Sequence, residues 1–96
     1  MLKCRMLPKG EGVELKGSID STTVSQLEKV LERYVNGNIK LDLSGVTELD
    51  DAGMRPILLA SRRLKRSGGN LVLVGAPPAV RDFLFREGYH HVLTIY

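Results

Sequence analysis

Cysteine is almost absent from this chain: Cys4 stands alone among 96 residues, which excludes an internal disulfide and a cysteine-rich zinc site and fits a reducing compartment. No uninterrupted apolar run approaches the roughly 20 residues of a membrane span, and the N-terminus lacks the basic, apolar and small-residue series of a signal peptide. A soluble, cytoplasmic chain with no membrane insertion is expected. Charge of one sign is scarce as well. The 14 basic and 11 acidic residues leave a net +3, too small an excess to favour nucleic acid, and no aromatic residues interleave the basic ones to stack on bases. No direct nucleic-acid contact is expected. The sequence contains no P-loop, no Gly-x-Ser-x-Gly and no His-Glu-x-x-His, so catalysis has no positive sign and no cofactor is implied. His90 and His91 have no nucleophile or carboxylate at motif spacing and are read as solvated or locally hydrogen-bonded.

What is present suits one small globular domain spanning residues 1–96, with 43% hydrophobic and 26% charged residues and room for a single modest core. Leu2, Cys4 and Met6 alternate with Lys3 and Arg5, as in a half-buried strand. After the turn "PKGEG", Val13 and Leu15 alternate with Glu14 and Lys16, giving an antiparallel hairpin. Cys4 then reads as a small core residue. A helix follows "GSID", with Val24, Leu27, Val30, Leu31 and Tyr34 on one stripe, Thr23 and Gln26 spaced as a capping box, and "NGN" at 36–38 as its stop. Ile39, Leu41 and Leu43 alternate with Lys40 and Asp42 as a third strand. In the next helix Met54, Ile57, Leu58, Ser61 and Leu64 share a face, and "SGGN" at 67–70 closes it. Leu71 to Val74 is unbroken apolar sequence, as in a strand buried on both sides. Pro77 and Pro78 open a third helix carrying Val80, Phe83 and Leu84, Gly88 closes it, and Val92 to Tyr96 reads as a last strand. The order β-β-α-β-α-β-α-β implies an α/β fold: a mixed sheet of about five strands, antiparallel at its start, with three or four helices and right-handed crossovers.

The adjacent carboxylates Asp50 and Asp51 stand where the third strand hands over to the second helix. A metal site is disfavoured, because neighbouring residues at such a turn point apart and no His, Cys or third acidic pair completes a shell. A short acidic side chain before a helix caps free N–H groups, which explains one of the two. The second would gain less from capping and suffer like-charge repulsion. The basic cluster Arg62, Arg63, Lys65 and Arg66 falls at the end of the same helix, where cations offset the dipole.

The element order, "GSID" and "LDLSGVTELDDAGM" together resemble the STAS domain family, in particular the bacterial anti-sigma factor antagonists, over essentially the whole chain. Members carry Asp-Ser-Ser-Gly or Asp-Ser-Thr-Gly at the start of the second helix, and the first Ser is phosphorylated by a partner kinase that is also the anti-sigma factor. The resemblance sets Asp50 on the leading Asp, Asp51 on the phosphoacceptor, Ala52 on the next hydroxyl position and Gly53 on the Gly. It implies a non-enzymatic regulatory module, a monomer or weak dimer, that binds an anti-sigma factor/serine kinase-type protein or another ATPase-side protein. Asp20, Ser21, Thr22, Asp50, Asp51, Ala52, Gly53, Met54 and Arg55 are its implied partner-binding candidates; a turn or helix-start role is the competing account of Asp20. A serine kinase cannot modify Asp51, whose −1 charge only partly matches the roughly −1.5 to −2 of phosphoserine. Either one state of the switch is locked, or the interface has changed to accept a permanent carboxylate. Pro56 also departs from the pattern: counted from a cap at Asp51 it falls near the fifth helical residue, so a later start or a bend is expected. Two alternatives share the fold, a small-ligand or nucleotide binder and the regulatory STAS subunit of a lipid-transport ATPase complex.

Overall fold

In the computed structural model, which describes all 96 residues, five strands form one sheet in the order β1-β2-β3-β4-β5. Strand β1 (Lys3–Met6) runs antiparallel to β2 (Gly12–Ile19). Strands β3 (Asn38–Leu49), β4 (Asn70–Val74) and β5 (Thr94–Ile95) continue parallel from β2. Helices α1 (Val24–Leu31), α2 (Asp51–Arg66) and α3 (Pro78–Arg86) make the three crossovers. Each crossover steps one strand in the same direction, so a common right hand places all three helices on one face.

That topology decides which side chains are buried. Val13, Leu15, Leu41, Leu43, Leu71 and Leu73 point under the helices and are fully buried, and they meet Leu27, Met54, Ile57, Leu64 and Leu84 from the helices. The opposite face has no helix: Lys16 and Lys40 are exposed, and Val72 and Val74 are half-buried. The apolar run Leu71 to Val74 is therefore covered on one side, not two, because strands added in sequential order never send a helix to the other face. Met6, expected inward, is half exposed at the open end of β1.

Strand β3 extends six residues past Leu43 and carries Val46 and Leu49 into the core. Its pairing with β2 slips twice: Glu14 and Lys16 face Asp42 and Gly45, and Gly17 and Ser18 face Val46 and Glu48. Each slip inserts one residue into β3, so its inward positions fall three apart (Leu43, Val46, Leu49) and strict alternation is lost. Helix α1 ends at Leu31, short of the expected Tyr34. The chain turns there, and the buried Tyr34 hydroxyl donates to the Gly12 carbonyl at 3.0 Å. The capping box of Thr23 and Gln26 does not form. The Thr23 hydroxyl accepts from the Asp20 N–H and lies 3.0 Å from the Ser18 carbonyl, while Gln26 Nε2 donates to the Leu2 carbonyl at 2.7 Å and ties α1 to the start of β1.

Helix α2 closes in a Schellman arrangement, with the Gly69 N–H on the Leu64 carbonyl at 2.8 Å, the Gly68 N–H on the Lys65 carbonyl at 3.1 Å and Gly68 at φ 88°. Pro56 neither delays nor interrupts this helix, which runs from Asp51 to Arg66 with Pro56 buried inside it.

Candidate functional site

The C-terminal ends of β2 and β3 lie side by side, with Ile19 opposite Leu49. The two loops that leave them therefore emerge together, one leading to α1 through Asp20–Thr23 and the other to α2 through Asp50. The Asp50 N–H donates back to the Ile19 carbonyl at 3.3 Å, which joins the loops at their base.

The adjacent carboxylates Asp50 and Asp51 divide their work. Asp50 is extended (φ −124°, ψ 178°), and its Oδ1 accepts from the Gly53 N–H at 3.0 Å, as an N-cap does. Asp51, the first helical residue, is no cap: its Oδ1 accepts from the Tyr89 hydroxyl at 2.8 Å, 38 residues along the chain. Burial, together with the hydrogen bond and charge of Asp51, pushes the Tyr89 phenol up to about 12. Asp50→Ala should therefore cost about 0.5–2 kcal/mol in urea denaturation, whereas Asp50→Ser should retain most of the stability because a serine hydroxyl also caps.

In the neighbouring loop, Asp20 Oδ1 accepts from the Thr22 N–H at 2.9 Å and from the Thr22 hydroxyl at 2.6 Å. The side-chain bond and then the backbone bond hold its carboxyl below the usual range. The turn-forming account of Asp20 is thus realised in the structure, beside the α2 N-terminus. A cleft of about 320 Å³ opens between the loops and α3, lined by Ile19, Asp20, Asp50, Val80, Phe83 and Arg86 among others. No group of three or more His, Cys, Asp or Glu side chains is placed to hold a metal ion.

Of the residues marked from sequence, Ser21, Thr22, Asp50, Asp51, Ala52 and Arg55 are exposed and lie on these two loops and the first turn of α2. Gly53 and Met54 are buried and offer no side chain to a partner. The Met54 side chain lies in the core, and the open side of Gly53 is filled by Ile19.

The basic end of α2 is only partly a free cationic face. Arg63 donates to the carbonyls of Leu31 at 2.7 Å and Tyr34 at 3.2 Å, closing the end of α1, and Lys65 donates to the Val92 carbonyl at 3.0 Å. Arg62 and Arg66 remain exposed. His91 is exposed, as expected, while the half-buried His90 stacks on Phe85 at 4.6 Å with His91 tilted against it at 4.0 Å, and the Arg81 guanidinium lies over the Phe85 ring at 4.7 Å. Cys4 is half-buried against the core, and burial raises its thiol pKa.

Tyr89 is the site residue that sequence patterning does not reveal. No local period connects it to Asp51. The nearest signal is Gly88, whose left-handed turn (φ 80°) ends α3 and sends Tyr89 back toward α2.

The family model described as "Mlab, STAS domain" matches residues 4–94. The chain belongs to the STAS domain family. BtrV of Bordetella bronchiseptica, a proposed anti-sigma factor antagonist, is 30% identical over 84 residues, covering 84% of this chain and 72% of BtrV. The fold of this STAS domain is also that of an anti-sigma factor antagonist from Mycobacterium paratuberculosis, with a TM-score of 0.87 at 22% identity over 100% of this chain and 86% of that one. The antagonist SpoIIAA in its unphosphorylated form superposes with a TM-score of 0.72 at 17% identity, over 100% and 87% of the two chains. A STAS domain of this antagonist-like form supports a regulatory role exercised by binding protein. No helix is long and apolar enough to cross a membrane.

Proposed function

We propose that this STAS domain is an anti-sigma factor antagonist that acts by direct contact with an anti-sigma factor of the serine kinase type, with no phosphorylation switch at position 51. The observation that carries the reading is the placement of Asp51: an exposed carboxylate at the first residue of α2, spared from capping by Asp50 and anchored by Tyr89. The contact surface comprises Asp20, Ser21 and Thr22 on one loop and Asp50, Asp51, Ala52 and Arg55 on the other. The anchoring favours an interface that has changed to accept a permanent carboxylate, since a fixed acceptor suits a partner that binds it. Arg62 and Arg66, at the far end of the helix, lie outside this surface.

A second reading is a regulatory STAS subunit that docks on a transporter ATPase. It draws support from the matching family model, which carries the name Mlab and not that of the antagonists.

Calorimetric titration against the purified anti-sigma factor serine kinases of the source organism, followed by incubation with ATP and intact-mass measurement, tests the proposal. The expected result is one-to-one binding to one of them and no mass increase, because position 51 offers no hydroxyl and Ala52 supplies none. Phosphate mapped to Ser21, Thr22, Thr23, Ser44 or Thr47 would show regulation by another route. Binding to a transporter ATPase and to none of the kinases would select the second reading.

A further inference from the structure

We infer that Tyr89 is a positioning residue for Asp51: its hydroxyl fixes the direction of the carboxylate, so that one oxygen is held and the other is presented to the partner. The inference rests on the surface proposed above and assigns it a residue from outside its two loops.

Asp51 has little else to orient it. The Gly53 N–H that could have held its side chain is taken by Asp50, and none of the molecule's ion pairs includes Asp51. Without Tyr89, an exposed aspartate at a helix start would sample several rotamers, and ordering it would be left to the partner.

Tyr89 is itself well fixed. Gly88 sets its entry angle with φ 80°, the Phe83 ring lies 5.9 Å away at 42°, and the Tyr89 carbonyl accepts from Val92 at 3.1 Å and Leu93 at 2.9 Å. A phenol differs from a lysine or arginine in what it does to the charge. It donates a hydrogen bond and remains neutral throughout the physiological range, so Asp51 is aimed while its full negative charge stays available. An ion pair at the same place would aim the group and neutralise it.

The geometry also defines the side chain required at position 51. The acceptor held by Tyr89 is an oxygen one bond beyond Cγ, and a serine hydroxyl ends one bond short of it. The pair Asp51–Tyr89 is therefore a matched unit, and a serine restored at position 51 would lose the clamp along with the charge.

A double-mutant cycle of Tyr89→Phe, Asp51→Ala and the double variant tests this, using the purified serine kinase that binds the unmodified chain. Phenylalanine keeps the ring packing against Phe83 and removes only the hydroxyl. Tyr89→Phe should weaken binding roughly tenfold, as expected for loss of a hydrogen bond to a charged group. The double variant should be no weaker than Asp51→Ala alone.

A readout independent of the partner accompanies it: in NMR pH titrations with labelled tyrosine, Tyr89 should titrate near the top of the accessible range in the unmodified chain and lower in Asp51→Ala. If Asp51→Ala weakens binding and Tyr89→Phe does not, or if the two effects add, the positioning role is overturned while the surface stands. If Asp51→Ala leaves affinity unchanged, the reading of the surface fails, and the role of the clamp in recognition fails with it, even where the titration shows the hydrogen bond.

Discussion

Gly53→Ala should destabilise the domain by about 1–3 kcal/mol, the range for forcing a methyl group into a packed site, although the same change at an open helical position would stabilise it by nearly 1 kcal/mol. The reversal has a structural cause. A Cβ built on Gly53 would collide with Ile19 Cγ2 and would lie 2.8 Å from the Ile19 carbonyl oxygen. That carbonyl is part of β2 and accepts from the Asp50 N–H, so it cannot withdraw without loosening the joint between the two site loops. The first turn of α2 must then lift away from the sheet, carrying Asp51 with it and stretching its bond to Tyr89. Urea denaturation should show a lower midpoint for Gly53→Ala. A rise in stability would mean that the close approach of α2 to β2 is not as described.

The glycine also shows how far local sequence carries. It was legible as the last residue of a family motif, but the need for a missing side chain comes from Ile19, 34 positions earlier, and no helix period announces that contact. The same division runs through the fold. The alternation of Val13 and Leu15, and of Ile39, Leu41 and Leu43, marks buried strand faces because a regular strand repeats every two residues. Where β3 bulges, the spacing from Leu43 to Val46 to Leu49 becomes three, and the alternating pattern ends six residues before the strand does. Tyr34 has the right position for the apolar stripe of α1 but lies beyond the end of the helix at Leu31, where its hydroxyl bonds to the Gly12 carbonyl. Thr23 and Gln26 have the spacing of a capping box and are drawn off by Ser18, Asp20 and Leu2, partners that come into reach only once the sheet has formed. Pro56 argued for a late or bent helix, yet α2 forms around it, its burial and the long apolar face of the helix outweighing one missing backbone bond. In the site, the pair Asp50-Asp51 was recognisable as having two tasks. Which residue performs which was not, since Asp50 is chosen as cap by the path of β3 and Asp51 is claimed by Tyr89.

The largest functional effect should come at Asp51, where charge and structure are now separable. Since Asp50 already caps α2, replacing Asp51 removes one hydrogen bond from Tyr89 and a favourable charge near the helix start, a loss of about 1–2 kcal/mol. Ser and Ala should share that modest loss, because neither presents an oxygen where Tyr89 needs it. Their effects on partner binding should be larger and should also agree, since both remove the carboxylate that the interface accepts. A serine at this position carries a further consequence: it restores a hydroxyl at the place where the family's kinases act, so Asp51→Ser should gain one phosphate on incubation with ATP while the unmodified chain gains none.

The central claim is that a permanent carboxylate at position 51 is part of the binding surface, and calorimetric titration of the Asp51→Ser and Asp51→Ala variants against the purified anti-sigma factor kinase tests it most directly. Each variant should bind at least about tenfold more weakly than the unmodified chain, a change of about 1.4 kcal/mol, in the same direction and by similar amounts, with both still folded by thermal melting. Unchanged affinity in both, or tighter binding in Asp51→Ser, would contradict it.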